Sequence, residues 1–219
     1  MNNKSVGIRA VIFDMDGVIS NTLEFYDKSS GILLGRHGID LGIESISKEY
    51  GGTSTKDFFT IIFEKYKKNE DVMKAVGESE DLLAESAKGK VSAIEGAKEL
   101  IRELQKENFK LSVASGASIR FLNLVLGELE LEKEFMAVVS SDEVQKGKPD
   151  PEIFLLATKK MGVSPCECLV IEDGKQGIIA AKKAGMKCVA LLKDGQISDL
   201  ADITIRNLEE LTMEKIKDL

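Results

Sequence analysis

Val11-Ile12-Phe13-Asp14-Met15-Asp16-Gly17 is the stretch that decides how the rest of the chain is read. A short apolar run rich in β-formers stops at two carboxylates and a glycine. Apolar runs of this length fit strands of a parallel sheet buried on both faces, which need no polar alternation. Asp14 and Asp16 then fall on the loop at the strand's carboxyl end, where a turn can bring both towards one ligand. Like charges this close cost free energy unless a cation offsets them.

Working outward, the same form recurs in Lys110-Leu111-Ser112-Val113-Ala114, Phe135-Met136-Ala137-Val138-Val139, Cys168-Leu169-Val170-Ile171 and Lys187-Cys188-Val189-Ala190-Leu191-Leu192. Ile203-Thr204-Ile205 reads as a short edge strand. Helical patterns lie between these runs. Ala97 to Lys106 places Leu100, Ile101 and Leu104 on one face and stops at Asn108. Ile119 to Leu126 follows Ser118, a capping residue, and Pro151 to Met161 carries proline in its first turn before Gly162. Gln176 to Ala184 ends at Gly185. The strand–helix alternation from about residue 90 onward is an α/β signature, with ligands expected at the carboxyl ends of the strands. Thr22 to Lys88 reads differently. It holds helical patterns over Leu23 to His37, Asp57 to Tyr66 and Val72 to Lys88, broken by Gly51-Gly52-Thr53-Ser54-Thr55. That segment is expected to be an all-helical insertion spanning 21–88, with 1–20 and 89–219 forming the core. Its position suits a lid that excludes water. The simpler alternative is that these helices only cover the sheet.

Composition narrows the partners. The 219 residues suffice for one sizeable core with a smaller inserted unit, and 43% are hydrophobic. With 30 basic and 37 acidic side chains the formal net charge is −7, which argues against a broad nucleic-acid footprint. No apolar run reaches the 18 or so residues of a membrane span. The opening residues lack the long apolar segment of a secretory signal, so a cytoplasmic location is expected. Cys166, Cys168 and Cys188 suit a reducing compartment and cannot all pair within one chain. They read as semi-buried thiols rather than a zinc site. The single histidine, His37, leaves Ser-His-Asp or Cys-His mechanisms without support.

A second acidic pair strengthens the reading of the first. Glu172-Asp173-Gly174 follows Leu169-Val170-Ile171, and parallel strands deliver both pairs to one edge of the sheet. Three or four carboxylates with room for water suit Mg2+, a hard cation that prefers octahedral oxygen ligands. Two further loops suit an anion. Ser115-Gly116 offers a hydroxyl and backbone N–H groups near a helix start. Lys148, stiffened by prolines in Gly147-Lys148-Pro149-Asp150-Pro151, offers a point charge for phosphate. Taken singly, these are a helix cap and a surface lysine; together they converge on one anion site.

In these motifs the chain resembles the haloacid dehalogenase superfamily, in its phosphatase and β-phosphoglucomutase-like branch with a helical cap in the first insertion. Asp14-Met15-Asp16-Gly17-Val18-Ile19 matches the first motif, Ser115 the second, Lys148 within its Gly-Lys-Pro loop the third, and Glu172-Asp173 with Gly177-Ile178 the fourth. All four in order are specific, and the resemblance covers nearly the whole chain. It implies a Rossmann-like parallel-sheet core with an inserted all-helical cap. It also implies a Mg2+-dependent phosphomonoester hydrolase acting on a small phosphorylated metabolite. Asp14 would be the nucleophile and form an aspartyl-phosphate; Asp16 would be the proton carrier. Asp14, the Asp16 carbonyl and Asp173 would hold the metal, with Glu172 close by or acting through water. Ser115, Gly116 and Lys148 would steady the transferring oxygens. A monomer or weak homodimer is expected.

The helical insertion bears on the phosphoryl acceptor. Mutases of this type are expected to carry a histidine and an arginine where this chain has Tyr26 and Thr55, which favours water as acceptor. The alternatives are a sugar-phosphate mutase, or a binding protein that kept the fold. Glu24 and Lys56 are candidate substrate contacts by resemblance only, and Asn21 and Gly174 depart from the usual aspartate and serine. Phosphoglycolate and small sugar or polyol phosphates are the candidate substrates.

Overall fold

The computed structural model describes residues 7–42, 46, 49–50, 53–192 and 197–219. Six strands form one sheet: β1 (Ala10–Phe13), β2 (Lys110–Ala114), β3 (Ala137–Val139), β4 (Cys168–Glu172), β5 (Lys187–Leu191) and β6 (Ile203–Ile205). Every pairing is parallel and the order is β3-β2-β1-β4-β5-β6. The first strand is therefore central, and the order reverses beside it, between β1 and β4. In open α/β sheets that switch point leaves a crevice at the carboxyl ends of the strands.

Side chains alternate across the strands and supply two cores. Val11, Phe13, Leu111, Val113, Leu169 and Ile171 face one layer, made by α4 (Ala97–Lys106), α5 (Ile119–Glu128) and the C-terminal α8 (Met213–Lys217). Ala10, Ile12, Ala114, Val139 and Val170 face α6 (Glu152–Met161) and α7 (Lys175–Lys183). The small residues on this second face let two helices approach the sheet closely.

Between β1 and α4 lie α1 (Leu23–Arg36), α2 (Thr55–Lys65) and α3 (Val72–Ala87). A third cluster, including Leu33, Leu34, Phe59, Ile62 and Phe63, is drawn entirely from this segment. Phe25, Leu83 and Ala87 instead join the sheet-side core. The chain leaves and re-enters across a paired crossing. Ser20 bridges Ala93, Asn21 N–H donates to Ser92 carbonyl at 3.1 Å, and Ser92 N–H donates to Asn21 Oδ1 at 2.9 Å. Asn21 thus ties the two connections together.

Helix boundaries differ from expectation where caps intervene. α2 begins at Thr55 because Ser54 Oγ accepts from Asp57 N–H at 3.1 Å, and Asp71 caps α3. The expected glycine break at 51–52 lies outside the described residues, whereas Thr55, assigned to that break, opens a helix. The strand expected over 135–139 is confined to its last three residues; Met136 is 60% exposed. The cysteines are not semi-buried thiols. Cys168 and Cys188 are fully buried on the strands, Cys166 is exposed, and all three are free. Burial pushes both strand thiols up to about 12. No helix among the described residues is long and apolar enough to cross a membrane.

A water-soluble maleimide is expected to modify Cys166 alone in the native protein, and Cys168 and Cys188 only after denaturation. Mass spectrometry of peptides checks this; rapid native labelling of Cys188 would contradict the burial of β5.

Candidate active site

The register brings the two acidic pairs together. Phe13 aligns with Ile171, and Asp14 N–H donates to the Ile171 carbonyl at 3.0 Å, so Asp14 and Glu172 leave adjacent strands at one level. Beyond Asp14 the chain folds into a tight turn in which Gly17 adopts φ +84° and donates to the Ser20 carbonyl at 2.8 Å. A Cβ on Gly17 would lie 2.0 Å from Asp173 Oδ2. Glycine there serves both the left-handed backbone and the space for a carboxylate.

Lys148 enters from the far loop. Its side chain is 0% exposed, and its Nζ donates to Asp14 Oδ1 at 2.6 Å, Glu172 Oε1 at 2.7 Å and the Ala114 carbonyl at 3.3 Å. The Glu152 carboxylate steadies this loop by accepting from the N–H groups of Gln145 and Lys146. Lys148 is therefore no surface lysine. Its three donors are taken, two of them by carboxylates, so contact with a phosphate oxygen requires exchanging one of these bonds. Glu172 is equally committed, because its Oε2 accepts from Gly174 N–H at 2.6 Å. A Cβ on Gly177 would fall 1.6 Å from Glu172 Oε1.

Asp16 points elsewhere. One of its oxygens accepts from the Thr22 hydroxyl and the other from Ser115 Oγ at 3.1 Å. Ser115 Oγ itself accepts from Ala117 N–H at 3.1 Å, which turns its proton towards Asp16. Thr22 was not among the sequence-derived candidates. As the residue before α1 it resembles an ordinary cap, and only the fold aims its hydroxyl at a carboxylate.

The electrostatics follow from burial. Asp14 is pushed up to about 8 by desolvation, with Glu172 and Asp16 adding to the rise and Lys148 opposing it. Asp16 is pushed up to about 6 by desolvation, against the hydrogen bonds from Thr22 and Ser115. Asp173 is also raised, by burial first and by Glu172 and Asp14 next. Lys148 is raised despite its burial, because Asp14 and Glu172 hold its charge. One ammonium thus faces a surplus of carboxylates. Asp14, Glu172 and Asp173 each offer one oxygen, all within 4.8 Å of one another. That all-oxygen donor set fits a hard divalent cation.

Above the carboxylates lies a cavity of about 860 Å³, lined by Asp14, Asp16, Gly116 and Asp173 below and by residues of the helical segment above. Leu23, Tyr26, Asp27 and Ser30 of α1 face it, a spacing of one helical face that the sequence displays. Thr55 lines it too. Glu24 and Lys56 do not: both are exposed and lie outside the lining, one residue from positions that do face inward.

The sequence model of the haloacid dehalogenase-like hydrolase family matches residues 11–191. The chain belongs to that family. It is 33% identical to a β-phosphoglucomutase of Bacillus subtilis (strain 168), over 96% of this chain and 95% of that protein. It is 31% identical to a phosphorylated carbohydrates phosphatase of Thermotoga maritima, over 86% and 89% respectively. The crystal structure of β-phosphoglucomutase from Clostridium difficile superposes with a TM-score of 0.87 at 26% identity, covering 96% of each chain. These matches put the chain in the family's phosphatase and phosphomutase branch.

Two predictions follow from the geometry. Gly177→Ala should destabilise the protein by about 1–3 kcal/mol, because the pinned Glu172 carboxylate must yield to the new methyl. A denaturant titration measures this, and an unchanged midpoint would refute the close approach. Second, raised folded-state values for Asp14 and Asp16 mean that the folded chain binds more protons than the unfolded chain between their ordinary value of 3.8 and about 8. Stability should therefore fall as pH rises through that window when divalent cations are chelated. Cation binding favours the ionised carboxylates, so Mg2+ should raise the Tm more at about pH 8 than at about pH 5. Equal shifts at both values would count against a carboxylate site.

Proposed function

We propose that the chain is a Mg2+-dependent phosphomonoester hydrolase acting on a small phosphorylated metabolite, with Asp14 as nucleophile. The observation that carries this reading is the pair Asp14 and Asp16 on one cavity floor in opposite settings. Asp14 is bound to an ammonium beside two further carboxylates. Asp16 is clamped by two hydroxyls, which fix its carboxyl group in place.

An Asp14 carboxylate oxygen attacks phosphorus and forms an acyl-phosphate bond as the bond to the leaving oxygen breaks. The Asp16 carboxyl gives its proton to that oxygen, releasing an alcohol. Water then attacks the same phosphorus, Asp16 takes the proton, and the Asp14–phosphorus bond breaks to give phosphate. Mg2+, held by Asp14 and Asp173 with the Asp16 carbonyl, and with Glu172 nearby, would neutralise phosphate charge so that an anionic nucleophile can approach. Lys148 fixes the Asp14 and Glu172 carboxylates, and the Ser115-Gly116 turn faces the transferring oxygens. Residues 21–88 act as the lid over this floor, which excludes competing water until the site is assembled. Free thiols and a chain that acts on a diffusible metabolite suit a cytoplasmic protein.

A second reading, phosphoryl return to a sugar, has the similarity to β-phosphoglucomutases behind it. Against it, Tyr26 and Thr55 form the cavity wall where the resemblance calls for histidine and arginine. Incubation with Mg2+ and β-glucose 1-phosphate separates the two, since free phosphate marks hydrolysis and an isomerised ester marks the mutase.

Asp14→Asn should abolish both turnover and the acid-stable phosphoenzyme trapped by quenching. Asp16→Asn should lower turnover by about 10²–10⁴-fold while retaining a detectable phosphoenzyme. Full activity in Asp14→Asn would overturn the assignment of the nucleophile.

A further inference from the structure

Tyr26 stands one helical turn beyond Thr22, the residue whose hydroxyl grips Asp16. Residues four apart share a helix face, so the turn that starts at Thr22 carries the tyrosine ring over the same carboxylate. Tyr26 lines the cavity together with Asp14 and Asp16. Its ring lies edge-on against Phe121 of α5, with centroids 5.4 Å apart, and packs on the sheet-side core although it belongs to α1. A side chain of the helical segment is thereby fixed against the body that carries the floor. Among the described residues the phenol makes no hydrogen bond. Asp16 and then Asp14 are the carboxylates whose charge bears on it most. An unused donor is thus held rigidly above the two aspartates.

An in-line displacement fixes what such a donor meets. The leaving oxygen stands on the far side of phosphorus from the nucleophile. With Asp14 attacking from the floor, that oxygen points towards α1, next to Asp16. We infer that Tyr26 is a further catalytic residue, whose phenol donates a hydrogen bond to the leaving oxygen of the ester. This deepens the hydrolytic reading above and rests on it. As the bond from phosphorus to the leaving oxygen breaks, its electron pair stays on that oxygen, and the proton taken up there comes from Asp16. The phenol keeps its own proton throughout and stabilises the charge that builds before the transfer is complete. A tyrosine hydroxyl is protonated at neutral pH, and burial with the Asp16 and Asp14 charges raises it further, so it remains a donor.

The test compares two esters of similar shape whose leaving oxygens need different help. Phenyl phosphate releases a basic phenolate oxygen, whereas p-nitrophenyl phosphate releases one whose charge its own ring disperses. With Mg2+, kcat/KM covers the steps up to release of the alcohol and so reports on this oxygen. In Tyr26→Phe it should fall by about tenfold or more for phenyl phosphate, and by at least about threefold less for p-nitrophenyl phosphate. The variant keeps the ring and its contact with Phe121, and a melting curve matching the wild type checks that it is folded. A loss by one common factor for both esters would mean that Tyr26 only shapes the cavity, and no loss for either would leave its hydroxyl without a role. Both results overturn the assignment while the hydrolase reading stands. If the wild type releases phosphate from neither ester, the hydrolase reading fails and the role of Tyr26 falls with it.

Discussion

The ammonium of Lys148, buried between Asp14 and Glu172, is the contact on which the site's architecture depends. Two carboxylates leaving adjacent strands cannot share a dry crevice without a counter-charge, and one lysine is the whole of what the described core supplies there. Such a pair is no bargain for stability, since desolvating both partners costs about as much as their attraction returns. Removing the lysine would leave two buried anions, which is far worse. The arrangement makes sense as a poised site. One cation holds the carboxylates in place, and their surplus negative charge invites a second, diffusible cation.

That surplus also explains why glycine stands where it does. Gly17 and Gly177 lie against the carboxylates of Asp173 and Glu172 at distances no side chain tolerates. Both carboxylates of the second acidic pair therefore occupy vacated space, Asp173 beside the loop after β1 and Glu172 beside the first turn of α7. The clamp on Asp16 works by a different principle. Hydroxyls from Thr22 and Ser115 orient it without neutralising it, so burial keeps its proton affinity high. Neighbouring aspartates two residues apart thus acquire separate chemical characters from their surroundings alone.

Sheet and helices divide the work between them. The strand ends bring together the groups proposed to act on phosphorus, and the paired crossing at Asn21 and Ser92 carries the chain to and from the helices overhead. The helical side contributes aromatic rings and carboxylates to the same cavity. Family membership accounts for the floor. The overhead face lines the same cavity with Tyr26, Thr55 and Phe58 of the helical segment.

The strands, the four helices α4 to α7 and the four loops bearing Asp14, Ser115, Lys148 and Glu172 were legible in the sequence, whereas the short α8 was not. Each is a local pattern, an apolar run followed by a turn, and parallel pairing sends such turns to one edge. What the order of residues could not reveal was contact between loops distant in the chain. It presented Lys148 as a surface or phosphate-facing lysine, but 134 residues separate it from the carboxylate it holds. It offered no role for Thr22, and the resemblance presented Glu24 and Lys56 as substrate contacts, although a helical phase error of one residue turns a side chain from cavity to solvent. Local propensity and spacing determined the fold and the membership of the floor. Only tertiary packing decided which charges are buried together, which hydroxyls aim at them and which face of α1 looks down, since those depend on distances that no sequence separation encodes.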